Sequence, residues 1–135
     1  MKVSALLFFF VAIFGSALAQ DDFSIKDFTK SPTEHIINQI DQPFVVRSVR
    51  GTILDPGVRE PFRGVLFEIQ GPGPDRTIRK AITDKNGQFK INHVPAGTYH
   101  FKATMNGWQS AVGTITVSKK ADKRNEIKID MRLGV

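Results

Sequence analysis

Apolar and polar positions alternate along most of the chain after Phe44, and alternation is the period of a β-strand. In residues 65–70, Val65, Phe67 and Ile69 lie on one face of the predicted strand. Leu66, Glu68 and Gln70 lie on the other face. The side chains of Val65, Phe67 and Ile69 are therefore predicted to be buried. The same alternation predicts further inward-facing side chains at Phe89, Ile91, Tyr99, Phe101, Ala103, Ile127, Ile129, Met131 and Leu133. On the strand that carries Tyr99, His100 and Lys102 are predicted to point outward.

Turn signals separate these segments at intervals of about ten residues. The turn-forming stretches are 55–57 (Asp-Pro-Gly), 71–75 (Gly-Pro-Gly-Pro-Asp), 86–87 (Asn-Gly), 95–97 (Pro-Ala-Gly) and 106–107 (Asn-Gly). Asn-Gly is the strongest short signal for a hairpin, since both residues accept a positive φ. The pattern predicts about seven short strands with no helical period between them. The fold class is therefore predicted to be all-β, as an antiparallel Greek-key β-sandwich.

The start of the chain has the composition of a secretory signal peptide. Lys2 gives a positive start, residues 5–14 are uniformly apolar, and Ala17-Leu18-Ala19 has the small-residue pattern of a cleavage site. The alternative, a membrane anchor, is disfavoured because the apolar run is short for a span. We expect residues 1–19 to be removed, which gives a secreted or periplasmic protein that does not span a membrane.

Residues 20–43 are predicted to be a linker with a short helix. Ser31-Pro32-Thr33-Glu34 has the order of a capping box with proline at the first helical position. Ile36, Ile37 and Ile40 would then lie on one side of a helix that ends before Pro43. A disordered linker is the alternative. The sandwich domain is predicted to occupy residues 44–135.

Composition narrows the possible chemistry. Apolar residues make up 41% of the chain, enough for a core, and phenylalanine is the main aromatic residue with 11 copies. Cysteine is absent, which excludes disulfides and thiolate metal sites. The formal charge is +6, or +5 once residues 1–19 and their single lysine are removed. Such a balance favours acidic polymers or anionic surfaces as partners, and it is also ordinary for a secreted domain.

Two stretches carry a resemblance to a known family. They are RGTILDPGVREPFRGVLFEI (50–69) and ITDKNGQFKINHVPAGTYHFKAT (82–104), and together they resemble the carboxypeptidase regulatory-like domain family. The matching positions are Gly51, Asp55, Gly57, Pro61, Gly64 and Val65 in the first stretch, and Thr83, Asp84, Gly87, Phe89, Pro95, Gly97 and Tyr99 in the second. The chain departs from the family pattern at Ile53, where valine is usual, and in the spacing between Gly57 and Pro61.

The resemblance implies a transthyretin-like (prealbumin-like) β-sandwich. Domains of this family are accessory modules that accompany peptidases, outer-membrane receptors and surface proteins, and related folds bind starch. They are not catalysts in general. The resemblance therefore implies a binding or structural role and leaves the partner open.

Residues that could carry catalysis or bind metal fail the tests of spacing. Asp84-x-Asn86 begins like a calcium loop, but Phe89 stands where such a loop needs glycine and Pro95 where it needs glutamate. A turn capped by the Asp84 carboxylate is the better interpretation. His93 and His100 lack metal-ligand spacing, and no serine lies in a nucleophile motif. We expect no enzyme activity, metal or cofactor; an unrecognised site around His93, His100 and Asp84 is the enzymatic alternative.

Trp108 is the main candidate for a ligand contact. It follows the Asn106-Gly107 turn, and a flat indole face can pack against a sugar ring, with Asn106 and Gln109 as nearby polar groups. The structural alternative, that Trp108 folds over the end of the sandwich, is favoured because sugar platforms use two or more aromatic residues.

Basic residues form two groups, Arg47, Arg50, Arg59, Arg63, Arg76 and Arg79 in the first half and Lys119, Lys120, Lys123 and Arg124 in the last loop. Nucleic-acid binding would need aromatic residues interleaved with the basic residues, and secretion argues against it. The sequence therefore predicts a secreted, non-catalytic module for binding or structural support at the cell envelope, with an envelope protein or a glycan as partner. The alternative is a carbohydrate-binding module that uses Trp108.

Overall fold

The computed structural model of the protein describes residues 27–33, 36–71 and 76–133, and these contain ten β-strands and no helix. The strands are β1 (Ile37–Gln39), β2 (Phe44–Val46), β3 (Val49–Asp55), β4 (Glu60–Pro61), β5 (Leu66–Gln70), β6 (Ile78–Ile82), β7 (Gln88–Ile91), β8 (Gly97–Thr104), β9 (Ser110–Val117) and β10 (Ile127–Asp130). The all-β prediction is confirmed. Strands outnumber the predicted seven because 44–54 divides into two strands and because short strands form at β1 and β4.

The strands form two sheets. The large sheet has the order β1-β9-β8-β5-β6, with β2 also pairing β9, and the small sheet has the order β10-β3-β4, with β7 also pairing β3. Three pairings are parallel, β1 with β9, β2 with β9 and β10 with β3. The sheets are therefore mixed, where a purely antiparallel sandwich was predicted. Alternation fixes which face a residue occupies but carries no information on strand direction.

The core lies between the two sheets and is built from alternate residues of the longer strands. Val65, Phe67 and Ile69 are fully buried, as the alternation predicts. The ring of Phe67 stacks on Phe89 of the small sheet at a centroid distance of 4.1 Å and on Phe101 at 5.4 Å. Because Phe89 comes from the opposite sheet, this stack joins the two layers.

Close packing of β3 against β10 depends on Gly51. A Cβ atom at this position would lie 2.1 Å from the carbonyl oxygen of Ile127, a distance that no side chain tolerates. Gly87 has a positive φ of 72°, which agrees with the predicted Asn86-Gly87 turn. The two glycines thus satisfy different demands, one for space and one for backbone conformation.

The predicted helix after residue 31 is wrong. Residues 27–33 run across the outer face of the large sheet, and we call them the N-terminal strap. Ile37–Gln39 then forms strand β1, in register with residues 110–112 of β9. The capping box fails because an open edge of β9 offers backbone partners to this segment, and tertiary pairing overrides a local helix signal. Glu34, His35 and the predicted signal peptide lie outside the described residues.

Leu133 also departs from its predicted position. Its side chain is 61% exposed, whereas Ile127, Ile129 and Met131 are buried as predicted. The parallel pairing with β3 ends at Met131, whose amide donates to the carbonyl of Leu54. Leu133 instead forms a bridge with Trp108, so the alternation stops where the strand does.

Candidate binding site

Two clefts lie side by side on the outer face of the small sheet, and Thr52 and Glu126 line both of them. Their volumes are about 460 and 290 Å³. We call the pair the Glu126 recess. Its lining comes from β3, β7, β10 and the adjoining turns, and includes the charged residues Arg50, Asp55, Arg59, Asp84, Lys90, Lys128 and Asp130.

The carboxylate of Glu126 is fixed by two neighbours on β3. Arg50 Nη1 donates to Glu126 Oε2 at 3.0 Å, and Thr52 Oγ1 donates to Oε1 at 3.3 Å. Arg50 also reaches the carbonyl oxygen of Lys123 through Nη2 at 3.0 Å. Arginine in such a contact is planar and preorganised, so the floor of the recess is a defined polar surface.

The acidic and basic side chains of the recess differ in the number of hydrogen bonds that they make within the protein. Asp55 accepts the amide of Gly57, and Asp84 accepts the amides of Asn86 and Gln88. The side chains of Arg59, Lys90 and Lys128 have no hydrogen bond or ion pair within the described part of the chain. Asp55 and Asp84 therefore serve the turns, Asp130 makes no side-chain bond among the described residues, and the cations of the rim remain available to a partner.

Asp84 has the turn-capping role that the sequence predicts. Its Oδ1 atom accepts the Asn86 amide at 2.8 Å and the Gln88 amide at 3.0 Å. His93 lies beyond the other end of β7, and His100 lies on β8 of the opposite sheet. The structure therefore does not bring these three residues together. Within the described ranges, no group of His, Asp and Glu side chains is arranged to hold a metal ion.

His100 is half-buried on the outer face of the large sheet. Burial lowers the pKa of its imidazole below the ordinary value of 6.5, and the positive charge of Arg76 lowers it further. On the last loop, hydrogen bonds from Arg124 hold the pKa of the exposed Asp122 carboxyl below its usual value. Neither group lines the Glu126 recess.

The three predicted ligand residues lie outside the Glu126 recess, beside the end of strand β10. Trp108 is half-buried, and its ring meets Phe62 edge to face at a centroid distance of 4.5 Å. The Gln109 side chain donates to the carbonyl oxygen of Leu133 at 3.0 Å, while Asn106 is exposed. Trp108 thus closes the sandwich end, and its sugar-binding role stays a prediction.

Sequence reasoning missed a buried polar row beneath the N-terminal strap. Glu68, Gln70 and Lys102 point away from the core yet are at most 4% exposed. Glu68 and Lys102 are direct cross-strand neighbours on β5 and β8. Lys102 was correctly predicted to point out of the core, but the strap covers this face. The opposite charges of Glu68 and Lys102, on two strands that alternation predicts, were the signal in the sequence that could have indicated this row.

No helix in the described residues is long and apolar enough to cross a membrane. No curated protein sequence matches the chain.

The chain is similar in structure to several solved proteins. Chlorocatechol 1,2-dioxygenase from Pseudomonas putida is 12% identical, with a TM-score of 0.43, over 78% of this chain and 68% of that one. 3-Chlorocatechol 1,2-dioxygenase from Rhodococcus opacus 1CP is 15% identical, with a TM-score of 0.44, over 79% and 68%. (S)-Allantoin synthase is 11% identical, with a TM-score of 0.41, over 69% and 40%. Neither the identities nor the TM-scores transfer the chemistry of these enzymes to this chain.

A family model is the informative comparison. The model of the carboxypeptidase regulatory-like domain matches residues 48–132, which run from just before β3 to just after β10. The match therefore includes the whole small sheet and the Glu126 recess. The chain belongs to the carboxypeptidase regulatory-like domain family.

Proposed function

We propose that the protein is a secreted, non-catalytic β-sandwich module that binds a carboxylate-bearing partner at the cell envelope through the Glu126 recess. This proposal rests on a difference between the acidic and the basic side chains of the recess in the hydrogen bonds that they already make within the protein. Three of the four carboxylates in the recess accept bonds from the protein's own turns or from β3, whereas the side chains of Arg59, Lys90 and Lys128 make no such contacts among the described residues.

Carboxylates suit these cations for a physical reason. An ammonium or guanidinium group at an exposed rim gains little from water-screened ion pairs one at a time, but several together steer an anionic partner and orient it. The formal charge, +6 for the whole chain and +5 without residues 1–19, acts in the same direction. An acidic segment of an envelope protein and an acidic glycan share this chemistry.

Binding of the mature chain to a polyglutamate peptide and to polygalacturonate tests the proposal and separates the two sources. Reversal of both rim charges, Arg59→Glu with Lys90→Glu, is expected to weaken binding at low salt about tenfold or more. The control reverses Lys119 and Lys120, which line neither cleft of the recess and keep the net charge change equal. Equal loss in both double variants, or no binding to either polymer, contradicts a role for the recess.

The non-catalytic part needs its own measurement. The mature chain is expected to show no turnover of peptide, ester or glycoside substrates, because the titratable groups discussed above serve turns and sheet contacts. Turnover that disappears in Asp84→Asn or His100→Gln, with the fold retained, would establish the enzymatic alternative instead.

A further inference from the structure

Among the described residues, strand β10 is an edge strand whose outer side is open. It pairs with β3 on one side, and no other strand of the described residues pairs with it. In this parallel pairing, the amide of Met131 donates to the carbonyl oxygen of Leu54. Because every second residue of a strand directs its backbone groups to the same neighbour, residues 127, 129 and 131 direct theirs toward β3. The backbone amides and carbonyls of Lys128 and Asp130 therefore face away from the sheet. An open row of this kind is a template for another strand.

The charges along this edge are self-complementary. The outward side chains at alternate positions are Glu126, Lys128, Asp130 and Arg132, in the order acid, base, acid, base. When the same strand is laid antiparallel and centred on Ile129, Lys128 of each copy lies opposite Asp130 of the other. At the next position outward, Glu126 lies opposite Arg132. Each opposed pair of these outward side chains then carries opposite charges, which is the favourable arrangement across antiparallel strands.

The backbone geometry agrees with this register. Lys128 and Asp130 both direct their backbone groups to the open side, so each opposed pair of them exchanges two hydrogen bonds. Ile129 meets its own counterpart at the two-fold axis, with its side chain toward the core. The ladder ends beyond Asp130, because the carbonyl oxygen of Arg132 already accepts the amide of Gln109 at 2.7 Å.

Exposed apolar side chains flank the edge at both ends. Val45 is 48% exposed and is tied to the start of β10, since Asn125 Nδ2 donates to the Val45 carbonyl oxygen at 3.1 Å. Leu133, at the other end, is 61% exposed. In the register centred on Ile129, Asn125 lies opposite Leu133 of the second copy, which brings Leu133 to the end that carries Val45. A groove of about 510 Å³ between β2 and β10 leaves space beside the edge.

We propose that two copies of this chain associate through their β10 edges, as antiparallel strands centred on Ile129. The two small sheets then form one continuous sheet across a two-fold axis. A closed, isologous contact of this kind uses the same patch on both copies. It also covers the open edge, which otherwise invites unspecific strand pairing. The contact involves Glu126, Lys128 and Asp130, which also line the Glu126 recess, and it is tested by association of the chain with itself in the absence of another partner.

Charge reversal tests the register directly. The association of the mature chain is measured by sedimentation equilibrium from about 10 μM to about 1 mM, a range suited to a small edge-strand interface. Lys128→Glu places two pairs of like charges across the interface and is expected to weaken association roughly tenfold. The double swap, Lys128→Asp with Asp130→Lys, restores opposite charges and is expected to restore association. Lys85→Glu, on an exposed turn, is the control for net charge.

A mixture of two single variants gives a sharper result. Lys128→Glu makes positions 128 and 130 both acidic and Asp130→Lys makes both basic, so each variant is expected to associate weakly alone and the mixture to associate at least as well as the wild type. Circular dichroism confirms that each variant is folded. A wild-type chain that stays monomeric over the whole range overturns the proposal. So does an equal loss in Lys128→Glu and Lys85→Glu, or a mixture no better than its components.

Discussion

Thr29 binds both carboxylate oxygens of Glu68, through its backbone amide at 2.9 Å and its hydroxyl at 3.1 Å. The two residues are 39 positions apart, and Glu68 is only 3% exposed. A buried carboxylate is costly unless it is hydrogen-bonded. The N-terminal strap is therefore attached to the large sheet by polar contacts, and Glu68 in turn depends on the strap.

Removal of Glu68 is expected to be strongly destabilising. Glu68→Ala removes the buried carboxylate that accepts both bonds from Thr29, and the free energy of unfolding should fall by about 3 kcal/mol. Urea denaturation provides the measurement. Glu60→Ala, on the exposed strand β4, is the control and should stay within about 0.5 kcal/mol of the wild type. Glu68→Leu combined with Lys102→Met should be less destabilised than Glu68→Ala, and the opposite order would argue against coupling of the two residues.

Gly51→Ala tests the close contact of β3 with β10. A Cβ atom would lie 2.1 Å from the Ile127 carbonyl oxygen, so the strands must separate, and the loss of unfolding free energy is expected to be about 3 kcal/mol or more. Gly57→Ala meets only the flexible Asp55 side chain, at 3.3 Å, and should be close to neutral. Thermal unfolding of the two variants side by side decides the matter, and equal melting temperatures would contradict it.

The hydroxyl of Tyr99 donates to the carbonyl oxygen of Pro95 at 2.7 Å and secures the turn before β8. Tyr99→Phe keeps the ring and removes this bond, which should lower the free energy of unfolding by about 1 kcal/mol. Tyr99→Ala also removes the ring that packs on Gly71, and about 3 kcal/mol is expected. Chemical denaturation that ranks the phenylalanine variant below the alanine variant in stability would refute this account.

The lowered pKa of His100 gives a pH dependence of definite sign. Below pH 6.5 the unfolded chain binds a proton at this residue more readily than the folded protein does. Stability from this group is thus fully present above pH 6.5 and is lost as the pH falls through the lowered folded pKa. Between pH 7.5 and pH 5.5, the urea midpoint of His100→Gln should change less with pH than the midpoint of the wild type does. Parallel curves for the two proteins would be inconsistent with a depressed folded pKa.

Trp108 is expected to matter first for stability. Its edge-to-face contact with Phe62 closes one end of the sandwich, so Trp108→Ala should lose about 2 kcal/mol of unfolding free energy and Trp108→Phe less. A glycan array with wild type and Trp108→Ala examines the carbohydrate alternative separately. Glycan binding by the wild type that is absent in a folded Trp108→Ala variant would favour that alternative; no binding by either protein would remove it.

Local pattern was sufficient where one face of a strand meets the core. Phe89 and Ile91 are buried as the alternation predicts, because inward residues of a sandwich have a single apolar environment to occupy. The turn at Gly87 was equally predictable, since its φ of 72° is one that glycine adopts most readily. Both features depend on residues close together in the chain.

Features that depend on distant segments were not predictable in the same way. Glu68 is bonded by Thr29 of the N-terminal strap, 39 positions away, and Ile37 forms a strand because it pairs with β9. The Glu126 recess likewise joins Arg50 and Glu126, which are 76 positions apart. Alternation predicts which residues share a face but not which segment will cover it.

The parallel pairings have a consequence for the order in which the molecule is assembled. Ile37 pairs with Ser110, and Gly51 pairs with Ile127. Strands from the first half of the sequence therefore pair with strands from the last 30 or so residues, which are synthesised much later. During synthesis neither pairing is available until most of the polypeptide has emerged. Contacts of such long sequence separation slow folding, because a large loop must close before they form. The module is thus completed from its last strands, and a nascent chain that stops before β10 leaves Gly51 facing solvent.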